Sequence, residues 1–288
     1  MANTVSRREI LARAAGVLAL PGAALPQADS ARRRGGLDFP LVDYHVHLDE
    51  AVTLDQALEL SRERGVKFGI VEHAGTKENK YRGLLSNDEE LKRYLARLAG
   101  KPVYTGIQAE GLDWMTCFSR QLVVQLDYVL TDALTFPEKD GRRVELWRPA
   151  VEIPDPQDFM ERYVEFHVQV MAREPIDILA NPTFLPARIE KDYDALWTPG
   201  RMQRIIQAAA KYGVAIEINS RYRLPRLPFL KMARRAGVKF SFGSNIHGLE
   251  VGNLDYGVEM AGELGLTAKD IFTPAAPGRK PIERRRFA

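Results

Sequence analysis

A single cysteine, Cys117, is all the thiol chemistry that the 288-residue chain offers. One thiol excludes an internal disulfide and any cysteine-rich zinc site. No internal repeat or low-complexity tract stands out. No basic face interleaved with stacking aromatics and no nucleic-acid-binding motif is visible, so no nucleic acid is expected as a partner. The apolar stretch from Ile10 to Leu25 is short and broken by Arg13 and Pro21, so no membrane span is expected either. What remains has the composition of an ordinary soluble globular protein, long enough for one large α/β domain or two small ones.

The first residues read as an address rather than as fold. Residues 6–28, SRREILARAAGVLALPGAALPQA, carry an arginine pair after a serine, a mild apolar stretch and a small-residue cleavage site at Ala28. This pattern predicts a twin-arginine signal, with an ordinary secretory signal or an anchor as the alternatives. The precursor is then expected to use the twin-arginine export machinery, and the mature protein to be periplasmic or extracellular. Export in the folded state suits a protein that takes up metal before it crosses. Residues 1–28 hold three arginines and one glutamate, so without them 41 basic residues become 38 and 38 acidic residues become 37. The near-neutral balance leaves the basic ends ARRRGG and GRKPIERRRFA as solvated tails. The expected organisation is a signal at 1–28, a disordered linker at 29–40, a barrel at 41–274 and a basic tail at 275–288.

Seven β-like runs are legible: 41–47, 67–73, 102–110, 126–132, 176–181, 214–219 and 238–244. Their cores are mostly continuous apolar runs, as in strands of a parallel sheet buried on both faces. Helical patterns lie between them, near 53–64, 86–99, 156–173, 199–212, 226–236 and 253–265. Thr53 and the run SNDEEL supply helix-start signals. Seven alternations argue for a βα barrel over an open sheet. Residues 133–154 fit no repeat unit and are expected to form a long loop or lid.

In such a barrel the reactive groups gather at the C-terminal ends of the strands. Four of the five histidines fall there: His45 and His47 on the first strand, His73 on the second and His247 after the seventh. His167 sits in a helical pattern and reads as structural or exposed. In a strand, residues i and i+2 share a face, so His45 and His47 can meet one ion. Imidazole suits zinc and iron, and added carboxylates admit manganese. Two same-face histidines are often ordinary core residues. Histidines at the ends of two further strands make a metal the better reading.

Six motifs, DYHVHLDE, VEH (71–73), GIQAEG, ANP, AIEIN and GSNIH, come in this order and resemble the PHP (polymerase and histidinol phosphatase) superfamily from about Leu41 to Pro274. The resemblance implies a distorted (β/α)7 barrel with up to three metal ions at the strand ends, in a family that includes phosphoesterases. Carried over residue by residue, it makes His45, His47, His73 and His247 metal ligands. Glu110 is a further ligand candidate, two residues past the usual glutamate position, where Gln108 stands. Asn181 and Asn245 are weaker candidate ligands where the family has histidine and aspartate, and Leu134 stands where it has histidine. These exchanges remove charge and donors, so one or two divalent ions (Zn, Mn or Fe) are expected in place of three.

The expected function is a metal-dependent hydrolase acting on a small anionic substrate, a phosphate ester first, through a metal-activated water. His247, Glu110 and Asp132 are unranked candidates for general base, and Arg82 and Arg221 for clamping the anion. Glu217 and Asn219 are expected to orient the ligands. Trp114 and Trp147 read first as core, with the pocket wall as the alternative. Two other functions stay open: an amidohydrolase or lactonase, and a non-catalytic relative that binds a ligand in the old pocket.

Overall fold

The computed structural model describes residues 36–246 and 248–284. The expected signal, the start of the expected linker, His247 and the last four residues lie outside them. Seven parallel strands close a barrel: β1 (Val42–His47), β2 (Lys67–Ala74), β3 (Tyr104–Ala109), β4 (Tyr128–Thr131), β7 (Ile178–Leu179), β8 (Ala215–Asn219) and β9 (Phe240–Gly243), with β9 returning to β1. The fold is therefore an α/β barrel of the TIM-like kind. The strand from 176 shrinks to the two residues of β7.

The connecting helices are α1 (Leu54–Arg64), α2 (Asp88–Leu98), α4 (Pro156–Arg173), α6 (Pro199–Tyr212), α7 (Leu227–Arg235) and α8 (Asp255–Leu264). Local chemistry sets their starts. Thr53 and Gln56 form a capping box, Asn87 and Asp155 cap α2 and α4, and Thr198 caps α6 ahead of Pro199. Shorter helical pieces, α3 (Arg120–Val123), α5 (Tyr193–Leu196) and α9 (Pro281–Arg284), fill the remaining connections. Among the described residues no helix is long and apolar enough to cross a membrane.

Three expectations need correction. The stretch 133–154 is not a plain loop: it carries an antiparallel hairpin of β5 (Thr135–Pro137) and β6 (Arg143–Glu145). Its short strands alternate too few residues to show a period. The linker ends early, because Leu37 and Phe39 are buried and Phe39 stacks on Phe242 at 6.0 Å. The basic tail is docked as far as residue 284. Ile282 is buried, and Lys280 Nζ donates to the carbonyls of Val124 and Leu126. A lysine placed on open carbonyls need not be solvated.

Inside the barrel, alternate residues of each strand form a row that is apolar below and polar above. On β3 and its end the row is Tyr104, Gly106, Gln108, Glu110, and on β8 it is Ala215, Glu217, Asn219. On β1, Val42 and Tyr44 belong to the apolar floor while His45 and His47 belong to the polar layer, a break in strict alternation. An irregularity of register between Asp43 and Val46 supplies the extra residue. The His45 N–H at this bulge donates to the Asp43 carboxylate at 3.0 Å. Asp43 also accepts from the backbone of Ser244 and Gly252, and so ties β1 to the loop after β9.

Candidate functional site

The polar layer is one connected network. His45 Nδ1 donates to Glu217 Oε1 at 2.6 Å. Its Nε2 lies 3.0 Å from Gln108 Oε1, and so does Nε2 of His47. The Gln108 amide donates onward to Asp132 Oδ2 at 3.3 Å, and the Asn181 amide donates to the same oxygen at 3.2 Å. Glu217 is held in place by the backbone N–H of Asn181 and the amide of Asn219. A Cβ on Gly243 would overlap the Glu217 carboxylate and His45, so only glycine leaves that contact room.

The second half of the site is a column of rings. His47 stacks on His73 at 4.7 Å, His73 on Tyr81 at 3.8 Å, and Tyr81 on Trp147 at 5.8 Å. His73 Nδ1 lies 2.7 Å from Glu110 Oε1, and Thr135 donates to the other carboxyl oxygen of Glu110. The hairpin thus delivers Thr135 to Glu110 and, just past its second strand, Trp147 to the wall of a cavity of about 580 Å³ that opens above the polar layer.

Burial sets the charge state. It pushes the Glu110 carboxyl up to about 8 and pulls the His73 imidazole down to about 4. Their contact has ion-pair length. Both shifts nevertheless have the same cause, so at neutral pH the pair is an uncharged carboxyl and imidazole sharing one proton. Burial, then the neighbouring Glu110, raise Asp132 to about 7. In the His45–Glu217 pair burial opposes both charges, but each offsets it for the other. His45 ends above its ordinary value and Glu217 below. An imidazolium is also what the geometry asks for, since His45 faces acceptors from both ring nitrogens.

The expected site residues divide. His45, His47, His73, Glu110 and Asp132 come together. Glu110, though, pairs with His73 and not with the His45–His47 meeting point, which Gln108 fills. Asn181 is not aimed as a ligand: its amide donates to Asp132 and accepts from Asn219. Asn245 lines the cavity, donates its N–H to the His45 carbonyl and accepts from Arg221 on its own carbonyl. Arg82 sits at the rim in an exposed ion pair with Glu50 and is no preformed clamp. Trp114 is core, Trp147 is cavity wall and His167 is buried.

Gln108 was readable only as a lost ligand, yet it is the hub. Its place two residues before Glu110 on one strand face was the signal available. Tyr81 and Thr135 left none, because their partners are distant in sequence. The backbone adds a mark of its own: Asn181, Arg223 and Asn245, after three successive barrel strands, all take left-handed conformations with φ of 49°, 52° and 47°. Asparagine enters that region at less cost than histidine or other side chains, and such turns cluster at functional sites.

Among the described residues no three His, Cys, Asp or Glu side chains stand in metal-holding geometry. The donors still converge on one point, because two imidazole nitrogens meet at the Gln108 oxygen. They do so beside Glu110 and Asp132, whose pKa values burial raises. This donor set fits one divalent ion better than several.

No family profile matches the chain. No curated protein matches it. Among solved structures it is similar to an HpcH/HpaI aldolase from Desulfitobacterium hafniense DCB-2, at 13% identity and a TM-score of 0.33, over 71% of this chain and 86% of that one. A likeness this loose carries no argument about chemistry.

Proposed function

We propose that the protein is a PHP-type hydrolase that uses one divalent ion to cleave a small anionic ester, a phosphate ester first. One observation carries the reading. His45 and His47 present Nε2 to a single point, 3.0 Å from each, while Glu217 fixes the far nitrogen of His45 at 2.6 Å. A buried carboxylate that sets the tautomer of an inward-facing imidazole is the usual support of a metal-binding histidine. His45, His47, Gln108 and Asp132 would hold the ion. When bound, it would supply an activated water and polarise the ester oxygen. The Glu110–His73 pair, beside the ion, is suited to passing a proton near neutral pH. Arg221 at the cavity wall provides the charge for the anion.

A second reading rests on the amides. Gln108 and Asn181 close the polar layer with neutral groups, and Gln108 occupies the meeting point. This favours a binding protein that has given up catalysis. Metal analysis and a panel of phosphomonoesters, phosphodiesters, lactones and amides separate the two. The hydrolase reading expects one ion per chain and turnover that chelator and His45→Ala abolish. No uptake and no turnover of any substrate would leave the binding protein.

A further inference from the structure

A second cavity, of about 660 Å³, adjoins the first and shares three wall residues with it: Trp147, Arg221 and Tyr222. Five of its fourteen wall residues are aromatic. Phe184 meets Tyr222 edge-on at 5.0 Å, and Tyr193 and Tyr256 lie beyond them. The ring column that starts at His47 ends at Trp147, one of the three residues that face both spaces. The arginines differ. Arg223 lies over Tyr256 and is paired with Glu259, and Arg226 lies over Tyr193 and is paired with Asp194. Arg221, at the junction, stacks over Tyr222 and bonds the Asn245 carbonyl. Among the described residues no carboxylate forms an ion pair with it.

We infer that the substrate has two parts, an anionic group held at Arg221 and a planar aromatic ring seated in the second cavity. Among the described residues no guanidinium lies over Trp147 or Phe184, and a wall of flat groups suits a planar ligand better than a branched aliphatic one. The volume suits one ring system, since small-molecule sites span about 300–1,000 Å³. The left-handed Arg223 holds the chain between Arg221 and the wall residue Leu224 in a turn that a non-glycine residue adopts only against strain. The inference rests on the ester-hydrolase reading for the anionic part, and the ring subsite stands apart from it.

The test titrates the full chain with methylphosphonate, 1-naphthylphosphonate and 1-naphthol by calorimetry, with Trp fluorescence alongside. The ring is expected to tighten phosphonate binding about tenfold, in line with a stacked aromatic contact plus its burial. Ala187→Trp, at an exposed position that lines only the second cavity, should remove that gain and leave methylphosphonate affinity unchanged. Equal binding of the two phosphonates, or a ring gain that survives Ala187→Trp, overturns the inference and leaves the hydrolase reading standing. Naphthol binding that Ala187→Trp blocks, with no contribution from the phosphonate, keeps the ring subsite and sinks the anionic reading. Binding of none of the three overturns both.

Discussion

The floor and the mouth of the barrel are built by the same strands and obey different rules. At the floor, Tyr44 and Tyr128 meet edge to face at 5.2 Å, and the Tyr128 hydroxyl donates to the Tyr44 carbonyl at 2.8 Å. Gly69 and Gly106 make room for the Tyr128 ring, which a Cβ on either would strike. Both tyrosines are satisfied by packing and by one carbonyl each. At the mouth, three imidazoles and three carboxyls are partnered by one another and by Gln108, Thr135, Asn181 and Asn219, burial pushes Glu110 and Asp132 toward neutrality, and two asparagines turn left-handed. Stability is vested below and chemical potential above. A layer of buried ionisable groups is costly to fold unless something binds it, which is why we read the mouth as a site and the floor as a plug.

The sharpest way to break this contrast is at the floor. Tyr128→Ala empties the plug and strands the Tyr44 carbonyl, and should cost about 3–5 kcal/mol in denaturant unfolding. A loss below about 1 kcal/mol would mean that the floor is not what holds the barrel.

A group outside the barrel tests whether acid sensitivity belongs to the mouth alone. Burial in α4 pulls His167 down to about 4, and its Nδ1 donates to the Tyr163 carbonyl at 2.7 Å. Between about pH 6.5 and pH 4 the unfolded chain takes up a proton that the folded chain refuses, so stability falls as pH falls. The full difference is about 3 kcal/mol. Urea melts across that window should show a shallower slope in His167→Gln. An unchanged slope would return the acid response to the mouth.

Gly243→Ala sharpens the contrast from the side of the mouth. The new methyl displaces Glu217 from His45, with an expected cost on the order of 1–3 kcal/mol from overpacking. It should cost metal affinity as well, whereas Gly106→Ala should cost stability only.

Glu217→Gln keeps the shape and removes the charge that fixes His45. Metal affinity, read by chelator competition, should fall roughly 10–100-fold while the fold persists. Unchanged affinity would detach the pair from any metal role.

Arg82→Ala should do least. Its pair with Glu50 is 82% and 78% exposed, and such pairs contribute about 0–1 kcal/mol. A large loss of substrate affinity in this variant would restore it as a clamp.

The strands and the main helices were legible because their signals are local. Apolar runs, Thr and Asn caps and Pro at helix starts act within a few residues. The β5–β6 hairpin was not legible, since three-residue strands carry almost no period, and neither was the docking of Lys280, whose partners lie about 150 residues away. At the site the inward aim of His45 and His47 could be read, and so could the clustering of acids at strand ends. The role of Gln108 could not, because an amide in a ligand position looks like a loss until its neighbours are known.

By itself, then, the sequence determined seven buried strands, their alternation with helices, and a pair of histidines two residues apart that must share a face. Those follow from pleat and periodicity, which are properties of the chain. Closure of the barrel decided the rest. It brought Gln108 to both histidines, Glu217 to His45 through the gap that Gly243 leaves, Tyr81 onto the ring of His73 and Trp147 onto that of Tyr81. Register between strands is fixed only when the last strand finds the first, and cross-strand partners exist only after that.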